Sequence, residues 1–291
     1  ARRARPGPMI TFAILMSAAG ALAPASAFAA DAVERWNAAM TDWSAALPPP
    51  GLPPFVEARA YAMAHLALLD ATRSALQRAR ANRPSADAAI APAARDVLAV
   101  ELGKFGGATA FDAIYAAELA AVPDGPAEDR GVAIGRAAAA AMLASRADEN
   151  VYAALGAPYT PGTAPGEFQP TPPTNVVAGA GWGALRTFAV RDATQFRAPP
   201  PYRLQSLQYA MDLNEIKAFG AAGAAARSPT QTAIAFYWYE NSSFAWNRIA
   251  RTVAGGLSLE QHARLYAALN AAISDAYMTS LESKFRYRFW R

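Results

Sequence analysis

Alanine-rich segments opened by helix caps constrain this chain more than any other feature. Alanine recurs in runs such as Ala137–Ala141, and β-branched residues are sparse. Alanine has the best helix propensity, so the composition leans towards helix. The caps then place the starts. Asp31-Ala-Val-Glu34 reads as a capping box, and Val33, Trp36, Met40, Trp43 and Leu47 follow at helical spacing. The proline run from Pro48 to Pro54 stops that helix and gives the next one proline in its first turn. From Phe55 to about Arg80, the stripe Val56, Ala60, Met63, Ala67 and Ala71 marks a second helix. Further helices are expected over 86–102, 108–121 and 127–147, separated by Gly106-Gly107 and Pro123-Asp-Gly-Pro126. Asp212-Leu-Asn-Glu215, Ser228-Pro-Thr-Gln231 and Ser258-Leu-Glu-Gln261 read as three more capping boxes, the last opening a helix that runs to the end. There is no internal repeat and no credible pair of strands. The expected fold class is all-α.

Between these helical parts lies a stretch of a different kind. Residues 157–203 are rich in proline and glycine and show no strong period. A segment of that length inside a compact chain is functional or a linker. Phe168, Trp182, Phe188, Phe196 and Tyr202 are interleaved in it, which predicts a loop packed over the helices. The chain thus divides into a leader at 1–30, a helical region at 31–156, a packed loop at 157–203 and a second helical region at 204–291. With 291 residues, 53% of them apolar, it can build a sizeable core.

The leader has the pattern of a signal peptide. Arg2, Arg3 and Arg5 form a positive start, Met9 to Ala23 carries no charge, and Ala25-Ser26-Ala27 and Ala27-Phe28-Ala29 offer cleavage sites. Export to the periplasm or the extracellular space is expected. Residue 1 is alanine, so translation is expected to begin at Met9 or upstream. Without the leader, 24 basic residues face 23 acidic ones, so the basic balance of the whole chain gives no support to a nucleic-acid partner. No other stretch is long and apolar enough to span a bilayer. Zero cysteines exclude disulfides, thiolate nucleophiles and cysteine–metal sites.

Common catalytic signatures are missing: no Gly-x-Ser-x-Gly, no His-Glu-x-x-His and no Walker loop. Gly179-Ala-Gly-Trp-Gly183 has the wrong spacing for a nucleotide loop and reads as a turn. Of the two histidines, His65 lies near the apolar stripe of the second helix and His262 in the first turn of the last one. Each could be a general base, but packing or capping is the commoner role of a lone helical histidine. Asp212 and Glu215 read as capping residues and not as an acid/base pair. Asp275, mid-helix, reads equally as a partner for a buried base or as a solvated aspartate.

The run Lys284-Phe-Arg-Tyr-Arg-Phe-Trp-Arg291 stands apart. On a continuing helix, seven residues would turn Lys284 and Arg291 to nearly the same face with Arg288 between them, about 10 Å apart along the axis. Lysine as a point charge and arginine as a fork would suit one tetrahedral anion. A basic aromatic tail, exposed or touching a membrane surface, fits the same residues.

Lys284-x6-Arg291 resembles the start of the first anion motif of the vanadium-dependent haloperoxidases and type 2 phosphatidic acid phosphatases. Pro199 to Ser206, Tyr209 to Lys217, Gly220, Arg227 to Ala235, Trp246, Ala267 to Asn270 and Asp275-Ala276 are similar to the stretch before that motif in bacterial haloperoxidase-like proteins. Arg59 to Ala67 with Asp70-Ala71 resembles the family's N-terminal helix, and Asp148-Glu-Asn150 departs from the expected Asp-Gly in a loop. The resemblance implies a helical bundle of the haloperoxidase and acid phosphatase type. Its cofactor would be vanadate, with phosphate competing, held by Lys284, Arg291 and in part Arg288. It would be an oxidoreductase, a peroxidase oxidising halide with hydrogen peroxide, or alternatively a phosphatase acting on phosphate esters. In the family a Pro-Ser-Gly-His segment and an Arg-x3-Gly-x-His segment supply the acid/base and the ligating histidine, and neither is in this chain. The expectation is therefore an inactive N-terminal fragment with no complete catalytic set, its helix at Trp290-Arg291 ending without a cap. A non-catalytic helical binding module is the reading from another class. Whether the parent is a homodimer stays open.

Overall fold

A computed structural model describes residues 30–79 and 82–290. The leader, apart from Ala30, and Arg291 lie outside the described residues. Ten α-helices run in the order α1 (Ala32–Ala45), α2 (Pro54–Leu76), α3 (Ala86–Glu101), α4 (Asp112–Ala120), α5 (Pro126–Ser145), α6 (Val151–Leu155), α7 (Leu207–Phe219), α8 (Pro229–Tyr237), α9 (Ser242–Val253) and α10 (Leu259–Tyr287). Among the described residues there is no strand, only an isolated antiparallel bridge between Glu167 and Phe289. The all-α fold class is the one the caps and alanines predict.

The local signals explain most of the starts. Asp31 caps α1 by accepting from the Glu34 N–H at 3.0 Å. Ser228 and Ser258 form full capping boxes with Gln231 and Gln261. One start is different. Ser206 caps α7, and Asp212 lies inside that helix, accepting from Gln208 Nε2 at 2.8 Å. Asp212-x-x-Glu215 is therefore not a capping box. The helix expected from 108 begins at Asp112, because a 3-10 turn at Gly103–Phe105 and further turns come first.

α2 is the centre. It packs against α3, α5, α9 and α10, and its sequence is apolar almost all round, as a helix with neighbours on every side requires. The main core joins Trp36 and Met40 of α1, Tyr61, Met63 and Leu68 of α2, Ile90, Val97 and Leu98 of α3, and Tyr266 of α10. α5 approaches α3 through Gly131 and Gly135. A Cβ at Gly135 would lie 2.1 Å from the Ala89 carbonyl oxygen, so the two backbones meet where only glycine fits. A smaller cluster of Phe55, Val56, Trp182, Met278 and Leu281 seats the 157–203 loop against α2 and α10. No helix among the described residues is long and apolar enough to cross a membrane.

A buried polar network ties four helices together. Asn37 of α1 donates to Asn247 of α9 at 2.6 Å, and Asn247 donates to Asn270 of α10 at 2.9 Å. His65 of α2 meets Asn37 at 3.1 Å. Each member is buried and bonded, so the network specifies which helices pair.

Candidate functional site

The C-terminal end of α10 carries the basic run. α10 ends at Tyr287, and Arg288 caps it in the left-handed region at φ 48°, its N–H donating to the Lys284 carbonyl at 3.0 Å. The helical spacing therefore stops before Arg288, and the helix end is capped. Phe289 and Trp290 instead run alongside the loop. Phe168 N–H donates to Arg288 O at 2.7 Å, and Trp290 N–H donates to Gly166 O at 2.9 Å.

Lys284 is half-buried in an aromatic setting. Its Nζ lies 4.9 Å from the ring centre of Phe168 and 5.0 Å from that of Phe285. Tyr159 closes the cluster, 5.3 Å from Phe168 and 5.6 Å from Phe285. Arg288 is exposed, with its guanidinium carbon 5.9 Å from the Tyr159 ring. Aromatic faces attract cations and exclude water, so an anion meeting Lys284 here would be poorly screened.

The loop is held to α10 by side chains of that helix. Asp275 is buried and accepts from the backbone N–H groups of Phe188, Ala189 and Val190 at 2.7, 2.7 and 3.0 Å. It is neither a partner for a buried base nor a solvated aspartate. Ala198 N–H donates to Ser283 Oγ at 3.2 Å, and Tyr287 Oη donates to Ala198 O at 2.8 Å. Gly179 turns the chain at φ 75°, and a Cβ on Gly183 would lie 2.7 Å from Glu282 Cβ, which explains the glycine-rich turn there. Phe168 and Trp182 are buried and Phe188 half-buried in this packing, whereas Phe196 and Tyr202 are exposed.

Neither histidine is near Lys284. His65 Nδ1–H donates to Tyr61 O at 2.8 Å, and burial lowers its pKa to about 4. It is a neutral, buried member of the asparagine network, with both ring nitrogens engaged there and none turned to a cleft. His262 sits at the start of α10, its Nδ1 2.7 Å from Asp31 Oδ2 and its Nε2 3.0 Å from Ala254 O. From His262 to Lys284 along α10 is about 33 Å at helical rise.

Sequence reasoning missed two buried acids. Glu149, in the loop segment read as a minor departure, is an ion-pair hub. Its carboxylate takes Arg59 at 2.7 Å, Arg146 at 3.0 Å and the Arg186 N–H at 3.1 Å. Burial would raise its pKa, but the Arg59 and Arg146 contacts outweigh that and hold it below the ordinary value. The hub, with Glu101 on the other side of Arg59, lines a cleft of about 700 Å³ between α2, α3, α5 and α6. Glu57 of α2 is fully buried, and Asn241 donates to its Oε2. Desolvation raises its pKa to about 7, offset in part by Ser44, Tyr61 and Asn241. Arg59 and Arg186 on Glu149, and Asn241 on Glu57, lie 37 to 184 positions away in the chain, so no local pattern announces those contacts.

The all-α bundle matches a fold of the haloperoxidase type. A solved structure described as the first bacterial vanadium-dependent iodoperoxidase is similar over 89% of this chain and 69% of its own, with a TM-score of 0.63 and 17% identity. No protein-family model and no curated protein matches the chain.

Proposed function

We propose that this chain is the front part of an exported, vanadium-dependent haloperoxidase-like enzyme, with Lys284 and Arg291 contributing cationic contacts to a vanadate or phosphate site. The observation that carries the reading is the fold shared with a vanadium-dependent iodoperoxidase, together with Lys284 on the loop-covered end of α10. Lys284 offers the charge such an anion needs. The rest of the donor set does not fit. Both histidines of the chain are committed elsewhere, and no described side chain near Lys284 offers a ligating nitrogen of that kind. The chain taken alone is therefore inactive in this reading.

The outer faces of α7 and α8 support a further packing layer in the parent. Leu207 is 77% exposed, Ile216 64% and Phe236 74%, and neither helix has a buried residue. Exposed apolar area of this extent marks a surface made for contact.

The test is to express the parent open reading frame, reading past Arg291 for Pro-Ser-Gly-His and Arg-x3-Gly-x-His, and to assay it with vanadate, peroxide, bromide and iodide. Vanadate-dependent halide oxidation that is lost in Lys284→Ala is the expected result. The same frame should bind a hydrophobic dye less than residues 1–291 do. Phosphate-ester hydrolysis without halide oxidation would move the reading to the phosphatase branch. A parent with neither segment and neither activity would leave a non-catalytic helical module.

A further inference from the structure

At the other end of α10, three potential ligands converge from two helices. Asp31 is the N-cap of α1, Glu34 follows one turn later, and His262 is in the first turn of α10. His262 Nδ1 lies 2.7 Å from Asp31 Oδ2, and its Nε2 lies 3.6 Å from Glu34 Oε1. One ligand atom from each residue falls within 4.8 Å of the others. His262 is buried, and the two carboxylates are half-buried.

Two further features point to a ligand. The Ala254 carbonyl can only accept, so His262 Nε2 donates to it, and this fixes the ring with Nδ1 turned to Asp31. A backbone carbonyl on the far nitrogen is how a ligating histidine is commonly oriented. Tyr266, one turn beyond His262 with its ring 6.2 Å away, is fully buried, and its hydroxyl has no hydrogen-bond partner. A buried hydroxyl without a partner is costly, and a water on a bound cation would satisfy it.

We propose that Asp31, Glu34 and His262 bind a divalent transition-metal cation of the zinc type, tying the start of α1 to the start of α10. Two carboxylates, and an imidazole that releases its Nδ1 proton to solvent as the ion binds, balance the charge of a dication. A nitrogen donor favours zinc-like ions over calcium or magnesium, which prefer oxygen alone. Three protein ligands leave a position for water. This site is separate from the anion site and does not rest on the haloperoxidase reading.

The experiment is a calorimetric titration of the purified chain with Zn2+, repeated with Co2+ to read the ligand set from its absorption spectrum. One equivalent is expected to bind and to raise the melting temperature. Glu34→Gln and His262→Gln should each weaken binding by about tenfold or more, at least what loss of an outer-shell partner costs. Asp31→Asn should weaken it too while keeping the helix cap, since asparagine caps as well as aspartate. If His262→Gln does not fold, Glu34→Gln decides, because it keeps the size of a half-buried side chain and removes only its charge. A wild-type chain that takes up neither ion, or uptake unchanged in Glu34→Gln, overturns the proposal.

Discussion

α2 and the α7–α8 pair have similar apolar content and opposite fates. In α2 even Glu57, Arg59, His65 and Thr72 are drawn inside, because helices cover it on several sides. In α7 and α8 leucine, isoleucine and phenylalanine stand in solvent, because nothing among the described residues packs on them. Hydrophobicity makes a helix want a neighbour, but topology decides whether it has one. The same side chain therefore has a different weight in the two regions.

The sharpest test of that contrast uses one large aromatic from each region. Trp36→Ala removes a fully buried ring and is expected to cost about 3–5 kcal/mol in urea denaturation. Phe236→Ala removes a ring that is 74% exposed and should stay within about 0.5 kcal/mol. Equal costs would mean that α8 is packed in solution, and the contrast would fail.

The next effect comes from acids and bases that only a covered helix can hold. His65 has a folded pKa near 4 against an ordinary 6.5, so its contribution is full above pH 6.5 and is lost as pH falls towards 4. Glu57 has a folded pKa near 7 against 4.5, so its contribution is full below pH 4.5 and is lost as pH rises through 7. Each is on the order of 3 kcal/mol, with opposite slopes between about pH 4.5 and 6.5. Glu57→Gln should leave stability rising with pH across that window, and His65→Gln should leave it falling. Denaturation curves at three pH values would show it. Parallel slopes in the two variants would mean that α2 is less closed than it looks.

A smaller effect is expected where α10 meets the loop. Asp275→Ala strips the acceptor from three backbone N–H groups and should cost about 1–3 kcal/mol. Hydrogen exchange at Phe188, Ala189 and Val190 should rise, while amides of α2 stay protected. Exchange rising equally in both would join the loop and the core into one cooperative unit.

What could be read in the sequence was what is local. Ser228 and Ser258 reach their own N3 partners, so their boxes are visible in four residues. Asp212-x-x-Glu215 shows the same letters, but the true cap is Ser206, whose N3 residue is Tyr209 and carries no reciprocal acceptor. Asp275 meets residues 85 to 87 positions away, and Glu149 meets Arg59 at a separation of 90. Neither bond leaves a mark in a short window. The turn at Arg288 was hidden for another reason. A non-glycine residue adopts the left-handed region there, where an arginine gives no warning. That one residue ends α10 at Tyr287, where the sequence predicts a helix running on to the end of the chain.

The division of labour between α10 and its loop has an evolutionary consequence. At Ala189, Val190 and Ala198 the helix supplies the side chain and the loop supplies only main chain. Any residue except proline has the required N–H, and every residue has the carbonyl. Mutations at those loop positions can therefore accumulate without releasing the loop, whereas the grip is encoded in Asp275, Ser283 and Tyr287. A lineage could rewrite the loop's surface, and with it whatever the loop faces, while the three helical residues preserve its path.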